Sequence, residues 1–181
     1  MQRLTRKAGQ ALELARDEAR RLRHTKVRTG HLLLGVLRCE QGLGAEVLRA
    51  RGVRLEEARE GVERISGRGE EELWAALIPF SGRSRKALDR AADEASALGD
   101  RRVGTEHILL SLLRDDDGAA AKVLAGSGVE YEQARRDVVA ARFSGRRRPH
   151  AWHRRRDVQL ALGVVAVFAV GVLAGRVLRA H

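Results

Sequence analysis

The side chains best suited to catalysis or metal binding are six histidines, one cysteine and a run of three aspartates, and their spacing points away from both chemistries. His31 and His107 each stand three residues into an apolar segment, where an imidazole is expected to pack and hydrogen-bond locally. One histidine per segment does not make a metal site. His150, His153 and His181 lack a carboxylate or thiol at ligand spacing. Cys39 follows Arg38, which would favour a thiolate, but no base is near it in sequence, so an inert thiol is expected. A single cysteine also forms no internal disulfide and needs no oxidising compartment. Asp115-Asp116-Asp117 lacks the spaced oxygen ligands and closing glutamate of a calcium loop and is expected to be a solvated inter-helix loop. The four lysines, Lys7, Lys26, Lys86 and Lys122, follow Arg6, Thr25, Arg85 and Ala121. None follows the glycine that a Walker A phosphate loop requires. An enzyme therefore has almost no support, and no cofactor is implied.

The elements that carry these residues come from a duplication. Shifting the sequence by 76 residues aligns Leu4 to Ile65 with Phe80 to Ala141 without a gap, with about 24 identities in roughly 62 pairs. Asp17-Glu18-Ala19 matches Asp93-Glu94-Ala95, Thr29-x-His31 matches Thr105-x-His107, and Gly52-Val53 matches Gly128-Val129. Each copy reads as four helices. Thr5 and Ser81 are N-cap candidates ahead of segments whose apolar positions, such as Ala8, Ala11, Leu12, Ala15, Ala19 and Leu22, recur at helical spacing. Thr29 and Thr105 repeat the N-cap signal before HLLLGVL and HILLSLL, dense enough to be central buried helices, although periodicity alone leaves strands open. Third helices near Ala45 to Ala50 and Ala121 to Ala125 end toward Gly52 and Gly128, which suit a left-handed C′ position, and fourth helices follow from Leu55 and Tyr131. Only 3% of residues are aromatic against 44% hydrophobic, which favours closely packed helices over an aromatic-rich sandwich. Ser66 to Glu72 reads as a polar linker, and Leu73 to Phe80 is apolar enough to lie along the surface of both halves.

The net charge of +11 over 181 residues is unevenly placed. Residues 1 to 141 hold about 26 basic and 23 acidic side chains, and 142 to 181 about 9 and 1, so the repeats are near balance and the charge argues against a nucleic-acid face on them. Val158 to Gly175 carries no charge and extends to Leu178 if Arg176 reaches for headgroups. It just meets the roughly 20 residues that cross a bilayer, and a helix buried against the domain is the alternative. Arg146, Arg147, Arg148, Arg154, Arg155 and Arg156 precede it with Trp152 as an interfacial ring. The positive-inside rule then places the repeats in the cytoplasm, and the same cluster attracts anionic lipid. Gly171 and Gly175 form a GxxxG that would support a weak homodimer. The start, MQRLTRKAGQ, has no apolar core and is not a secretory signal.

The repeat resembles the duplicated N-terminal domain of the Clp AAA+ unfoldases, above all the ClpC type. The family's Thr-Glu-His-Ile-Leu-Leu block stands here as Thr105 to Leu110 and, altered, as Thr29 to Leu34, and Ile78-Pro79-Phe80-Ser81 is also similar. The resemblance covers about residues 3 to 142. It implies an all-α fold of two tandem pseudo-symmetric four-helix repeats, eight helices in all, that docks adaptors and substrates for an ATPase. That ATPase, and any protease, would act in trans. Some ClpC-type domains recognise phosphorylated arginine at one site per repeat, with this Glu facing the guanidinium and helix-start groups facing the phosphate. By that resemblance Thr105 and Glu106 are candidate ligand residues, and Phe80 lines a candidate apolar docking groove. Gly30 replaces the first Glu and Arg28 precedes Thr29, so the first site is expected to be lost or changed. The alternative role for Glu106 is to complement the helix dipole.

The expected organisation is repeat 1 at 3–65, a linker at 66–79, repeat 2 at 80–142, a basic juxtamembrane segment at 143–157 and a single C-terminal transmembrane helix at 158–178. The expected function is a membrane-tethered module, in the cell membrane with cytoplasmic repeats, that binds protein substrates or adaptors of a Clp protease as adaptor, receptor or decoy. The competing reading is a protein whose basic tail binds nucleic acid or an anionic membrane surface.

Overall fold

The computed structural model describes residues 3–70 and 77–145. Their order is α1 (Arg6–Arg21), α2 (Thr29–Arg38), α3 (Leu43–Ala50), α4 (Leu55–Ser66), α5 (Gly82–Ala97), α6 (Thr105–Leu113), α7 (Ala119–Gly126) and α8 (Tyr131–Gly145). The expected all-helical class and the four-helix repeat are what these residues form. Among the described residues no helix is long and apolar enough to cross a membrane. Residues 158–178, Trp152, Arg154, Arg155 and Arg156, and the pair Gly171 and Gly175 lie outside the described residues.

Local chemistry starts and stops the helices alike in both copies. The Thr5 hydroxyl accepts the Ala8 N–H at 3.1 Å, and the Ser81 hydroxyl accepts the Ser84 N–H at 3.1 Å. After α3 and α7, Gly52 and Gly128 take φ of +78° and +69°. The next residues, Val53 and Val129, then donate to Leu48 and Leu124 carbonyls at 3.0 and 2.9 Å, so each glycine closes its helix with the left-handed turn its lack of a Cβ allows. Thr29 and Thr105 behave differently from the N-cap expectation. They are the first helical residues, with Arg28 and Gly104 at the N-caps, and neither threonine hydroxyl caps its own helix. Capping passes to the histidines two residues further on.

The two repeats close over one core. α2 and α6 are buried almost throughout, because Leu32, Leu33, Leu34, Ile108, Leu109 and Leu110 leave no polar face to turn outward. Each lies against helices of both repeats. The copies also exchange their leading segments: Leu4 bridges Val103, and Phe80 bridges Val27, so the start of each repeat is hydrogen-bonded to the first inter-helix loop of the other. This exchange corrects the surface course expected for the end of the linker. Ile78 is 1% exposed and enters the core, while Leu77 remains outside. Residues 71–76 lie outside the described residues.

Each copy also buries one carboxylate on the apolar stripe of its first helix. Glu18 accepts from Arg59 at 2.5 and 3.2 Å and from Arg21 at 2.9 Å, with Arg38 at 3.2 Å. Glu94 accepts from the Tyr131 hydroxyl at 2.9 and 3.1 Å and from Arg114 at 3.1 Å. Burial alone would raise the Glu18 pKa, but the hydrogen bonds from Arg59 and Arg21 outweigh it and hold the carboxyl below its ordinary value. These acids lace the first helix of each repeat to the elements around it.

Candidate functional site

The start of α6 is built by a histidine cap. His107 Nδ1 accepts the Gly104 N–H at 2.8 Å, so the neutral ring carries its proton on Nε2, which faces Asp100 Oδ2 at 3.0 Å. Burial pushes the His107 pKa down, opposed by the nearby Glu106 and Glu94 charges. Glu106 folds back over the N-cap, where its carboxylate occupies the space that a Cβ on Gly104 would fill. From the end of α8, Arg142 Nη2 pairs with Asp100 Oδ2 and lies 3.7 Å from Glu106 Oε1 and 3.3 Å from His107 Nε2. Asp100, Glu106, His107 and Arg142 thus form one partly exposed cluster.

Asp100, Glu106 and His107 bring their ligand atoms within 4.8 Å of one another. The donor set nevertheless fits a cation poorly. Nδ1 is used by a backbone N–H, so a metal on Nε2 would require loss of the remaining ring proton, and Arg142 already supplies the positive charge. The cation that the cluster holds is the Arg142 guanidinium.

The same turn in repeat 1 has opposite chemistry. His31 Nδ1 accepts the Arg28 N–H at 3.0 Å, and the other ring nitrogen meets His24 Nδ1 at 3.0 Å. Burial, then the neighbouring His24 and Arg28, pushes the His31 pKa down to about 3, so the pair is neutral. In the 76-residue register, Asp100 corresponds to His24, Gly104 to Arg28, Glu106 to Gly30 and Arg142 to Ser66. One entrance has an exposed arginine and the other two carboxylates. Gly30 also has no room for a side chain: a Cβ there would lie 2.8 Å from Val62 Cγ1 and 3.4 Å from Ala119 Cβ. A side chain at this position would meet Val62 of α4 and Ala119 of α7.

The residues expected to form a ligand site separate into two places. Thr105 is 1% exposed and its hydroxyl accepts the Gly44 N–H at 3.1 Å, serving α3 of the other repeat. Any ligand at this turn would meet Glu106 and backbone, not that hydroxyl. Phe80 belongs elsewhere: it pairs with Val27 and packs under the Arg16 guanidinium, 4.8 Å from the ring centre. Cys39 is buried and burial raises its pKa, consistent with an inert thiol. Asp115 is less solvated than expected, 12% exposed beside Arg83 and Arg90, while Asp117 is open. Asp100 and Arg142 carried no signal as single residues. Only the register, which sets Asp100 against a histidine and Arg142 against a serine, marks them as places where the copies diverge.

Two capped repeats sharing a core and exchanging their leading segments define the class, and comparison with known proteins agrees. The family described as the Clp repeat (R) N-terminal domain matches residues 3–127 and 79–172, and the chain belongs to it. It is 42% identical over 137 residues to the negative regulator of genetic competence ClpC/MecB of Bacillus subtilis (strain 168), covering 76% of this chain and 17% of that protein. It is 41% identical over 138 residues to the chloroplastic chaperone protein ClpC1 of Arabidopsis thaliana, covering 76% and 15%. The chain thus spans about a sixth of the length of the curated relatives it matches. Among solved structures, the N-terminal domain of the chaperone ClpD from Arabidopsis thaliana aligns with a TM-score of 0.61 at 25% identity, covering 77% of this chain and 94% of that one. The Hsp104 N-terminal domain from Candida albicans aligns at 0.63 and 16% identity, covering 78% and 92%, a likeness of fold alone.

Proposed function

We propose that this chain is a protein-docking module that captures substrate or adaptor segments for a Clp AAA+ protease, with the repeats as the recognition unit and no ATP turnover of their own. The observation that carries the reading is the family match across both repeats, in a sequence with no Gly-Lys pair for a phosphate loop. The module serves a Clp ATPase as adaptor, receptor or decoy. Crosslinking in cells followed by identification of the captured proteins tests it: Clp subunits and their substrates are the expected catch. Their absence, or ATP turnover that survives purification, overturns the reading.

The finer parts of the proposal concern ligand and location. Phosphorylated arginine is a candidate ligand at Glu106, supported by a carboxylate at a helix start that can pair with a guanidinium. The 158–178 segment anchors the chain in the cell membrane with the repeats on the cytoplasmic side, supported by its apolar run and the preceding arginines. Full-length protein retained in membranes through high-salt and alkaline washes supports the anchor. Release by salt alone replaces it with surface attraction through the basic tail, and tight sequence-selective DNA or RNA binding by the repeats would favour nucleic acid.

A further inference from the structure

A groove on repeat 1 takes no part in the cluster at α6. It lies between α1, the end of α2, the end of α3 and the start of α4, and holds about 540 Å³. Leu37 and Val53, 6% and 4% exposed, are its deepest aliphatic residues, with the partly buried Leu14 and Leu55 beside them. Its charged residues are Arg38, Arg49 and Arg54 against Glu40. Arg38 is tied into the fold, since it donates to the Leu14 carbonyl at 3.3 Å and meets the buried Glu18 at 3.2 Å. Arg49 and Arg54 are exposed. Arg49 donates to the Glu40 backbone carbonyl at 2.6 Å, and among the described residues no carboxylate pairs with it. Arg54 faces Glu57 at 3.4 Å, in a pair exposed enough to contribute little. The 76-residue register supplies a comparison. The corresponding groove on repeat 2, about 330 Å³, keeps the aliphatic Leu113 and Val129 but has Ala125 for Arg49, Glu130 for Arg54 and Asp116 for Glu40, with Lys122 as the cation lining it. The repeat scaffold thus forms the groove without requiring the arginines.

We propose that the repeat 1 groove docks an acidic amphipathic segment of a partner protein, with aliphatic side chains laid against Leu14, Leu37, Val53 and Leu55 and carboxylates paired with Arg49 and Arg54. The groove rests on the reading of the repeats as a protein-docking module and names the chemistry that one face of it accepts. Charge complementarity selects the occupant. Two exposed guanidiniums border an aliphatic floor, and such a border orients a segment of opposite charge while the floor supplies the buried contact. A helix with leucines on one face and carboxylates on the other meets both demands. A basic segment meets Arg49 and Arg54 as like charges, and a phosphate backbone has no aliphatic group to lay on the floor. The repeat 2 groove, edged by Asp116 and Glu130, opposes the same segment.

The experiment uses the full chain, wild type and Arg49→Glu/Arg54→Glu, with three labelled helical peptides: one with leucines on one face and glutamates on the other, one with lysines in place of the glutamates, and one with serines in place of the leucines. The arginines from Arg146 onward attract any acidic peptide, so the quantity read is the preference for the leucine peptide over the serine peptide, both acidic. Wild type should show that preference and bind the lysine peptide more weakly. The double variant should bind the acidic leucine peptide about tenfold more weakly, because two attractive contacts become repulsive. Backbone amide NMR signals should move around Leu37 and Val53 to Leu55 and stay in place around Val129 to Tyr131. Unchanged affinity in the double variant, equal binding of the lysine peptide, or equal shifts in both grooves overturns the proposal. Absence of any leucine preference in wild type also overturns the groove, and the crosslinking catch still decides the docking reading separately. Should the double variant fail to fold, Glu40→Arg replaces it: an added cation at the exposed rim should tighten acidic-peptide binding several-fold, and no gain would sink the proposal.

Discussion

Repeat 1 and repeat 2 keep the same buried acid and the same histidine cap, yet reverse the charge around the cap. Glu18 and Glu94 occupy equivalent positions, as do His31 and His107. Each satisfies a demand of the scaffold, either a buried carboxylate that must be paired or a helix-start N–H that must find an acceptor. Around them, His24, Arg28 and Gly30 in one copy stand where Asp100, Gly104 and Glu106 stand in the other. The lesson is that the hydrogen bond closing the turn is part of the fold, whereas the charges at its rim are free to diverge.

The sharpest break of the symmetry is expected at the buried acids. Glu18→Ala leaves the Arg21, Arg38 and Arg59 guanidiniums around an uncompensated site and should cost about 3 kcal/mol in urea unfolding. Glu94→Ala should cost about half of that, because Arg114 is 56% exposed and stays hydrated when its partner is removed. Equal losses would mean that the two acids do the same job despite their different partners.

Helix packing comes next. Gly35 of α2 lets α1 approach so closely that a Cβ would run into the Ala11 carbonyl and lie 2.8 Å from the Ala15 nitrogen, whereas its counterpart Ser111 has room and donates to the Ile108 carbonyl at 2.8 Å. Gly35→Ser should therefore destabilise by about 2–3 kcal/mol, and Ser111→Gly by about 1 kcal/mol. A neutral Gly35→Ser would show that α1 can move away freely.

Acid should divide the copies as well. His31 has a folded pKa of about 3 against an ordinary 6.5, so the unfolded chain binds more protons between those values. Stability is full above pH 6.5 and falls as pH drops toward 3, by on the order of 2 kcal/mol at pH 5 from this group. His107 is depressed too, with Glu106 and Glu94 opposing the shift. In urea titrations across pH, His31→Asn should flatten the acid limb more than His107→Asn does, and the reverse order would contradict the neutral pairing with His24.

The smallest effect tests a one-sided tie between the copies. Arg51, after α3, donates to Asp137 at 2.6 Å on α8, and its counterpart Ser127 instead bonds the Val123 carbonyl of its own helix. A double-mutant cycle on Arg51 and Asp137 should return about 0.5–1 kcal/mol, as suits a partly exposed pair.

Sequence by itself determined the duplication, the helical class and most helix boundaries. Apolar spacing, Thr5 and Ser81 at the starts and Gly52 and Gly128 at the ends are all read within one or two turns of chain, where local physics decides. The same reach explains the misplaced N-caps at Thr29 and Thr105: the residue type was right for a cap, but the acceptor came from an imidazole three residues past the N-cap, and Thr105 was needed by α3 of the other repeat. Only the tertiary structure decided the exchange of Leu4 and Phe80 between copies, the partners of Glu18 and Glu94, and the meeting of Asp100, Glu106 and Arg142. Those contacts join residues tens of positions apart, and a charge has no periodicity that reveals its partner. Packing around a shared core had to bring them together before their chemistry existed.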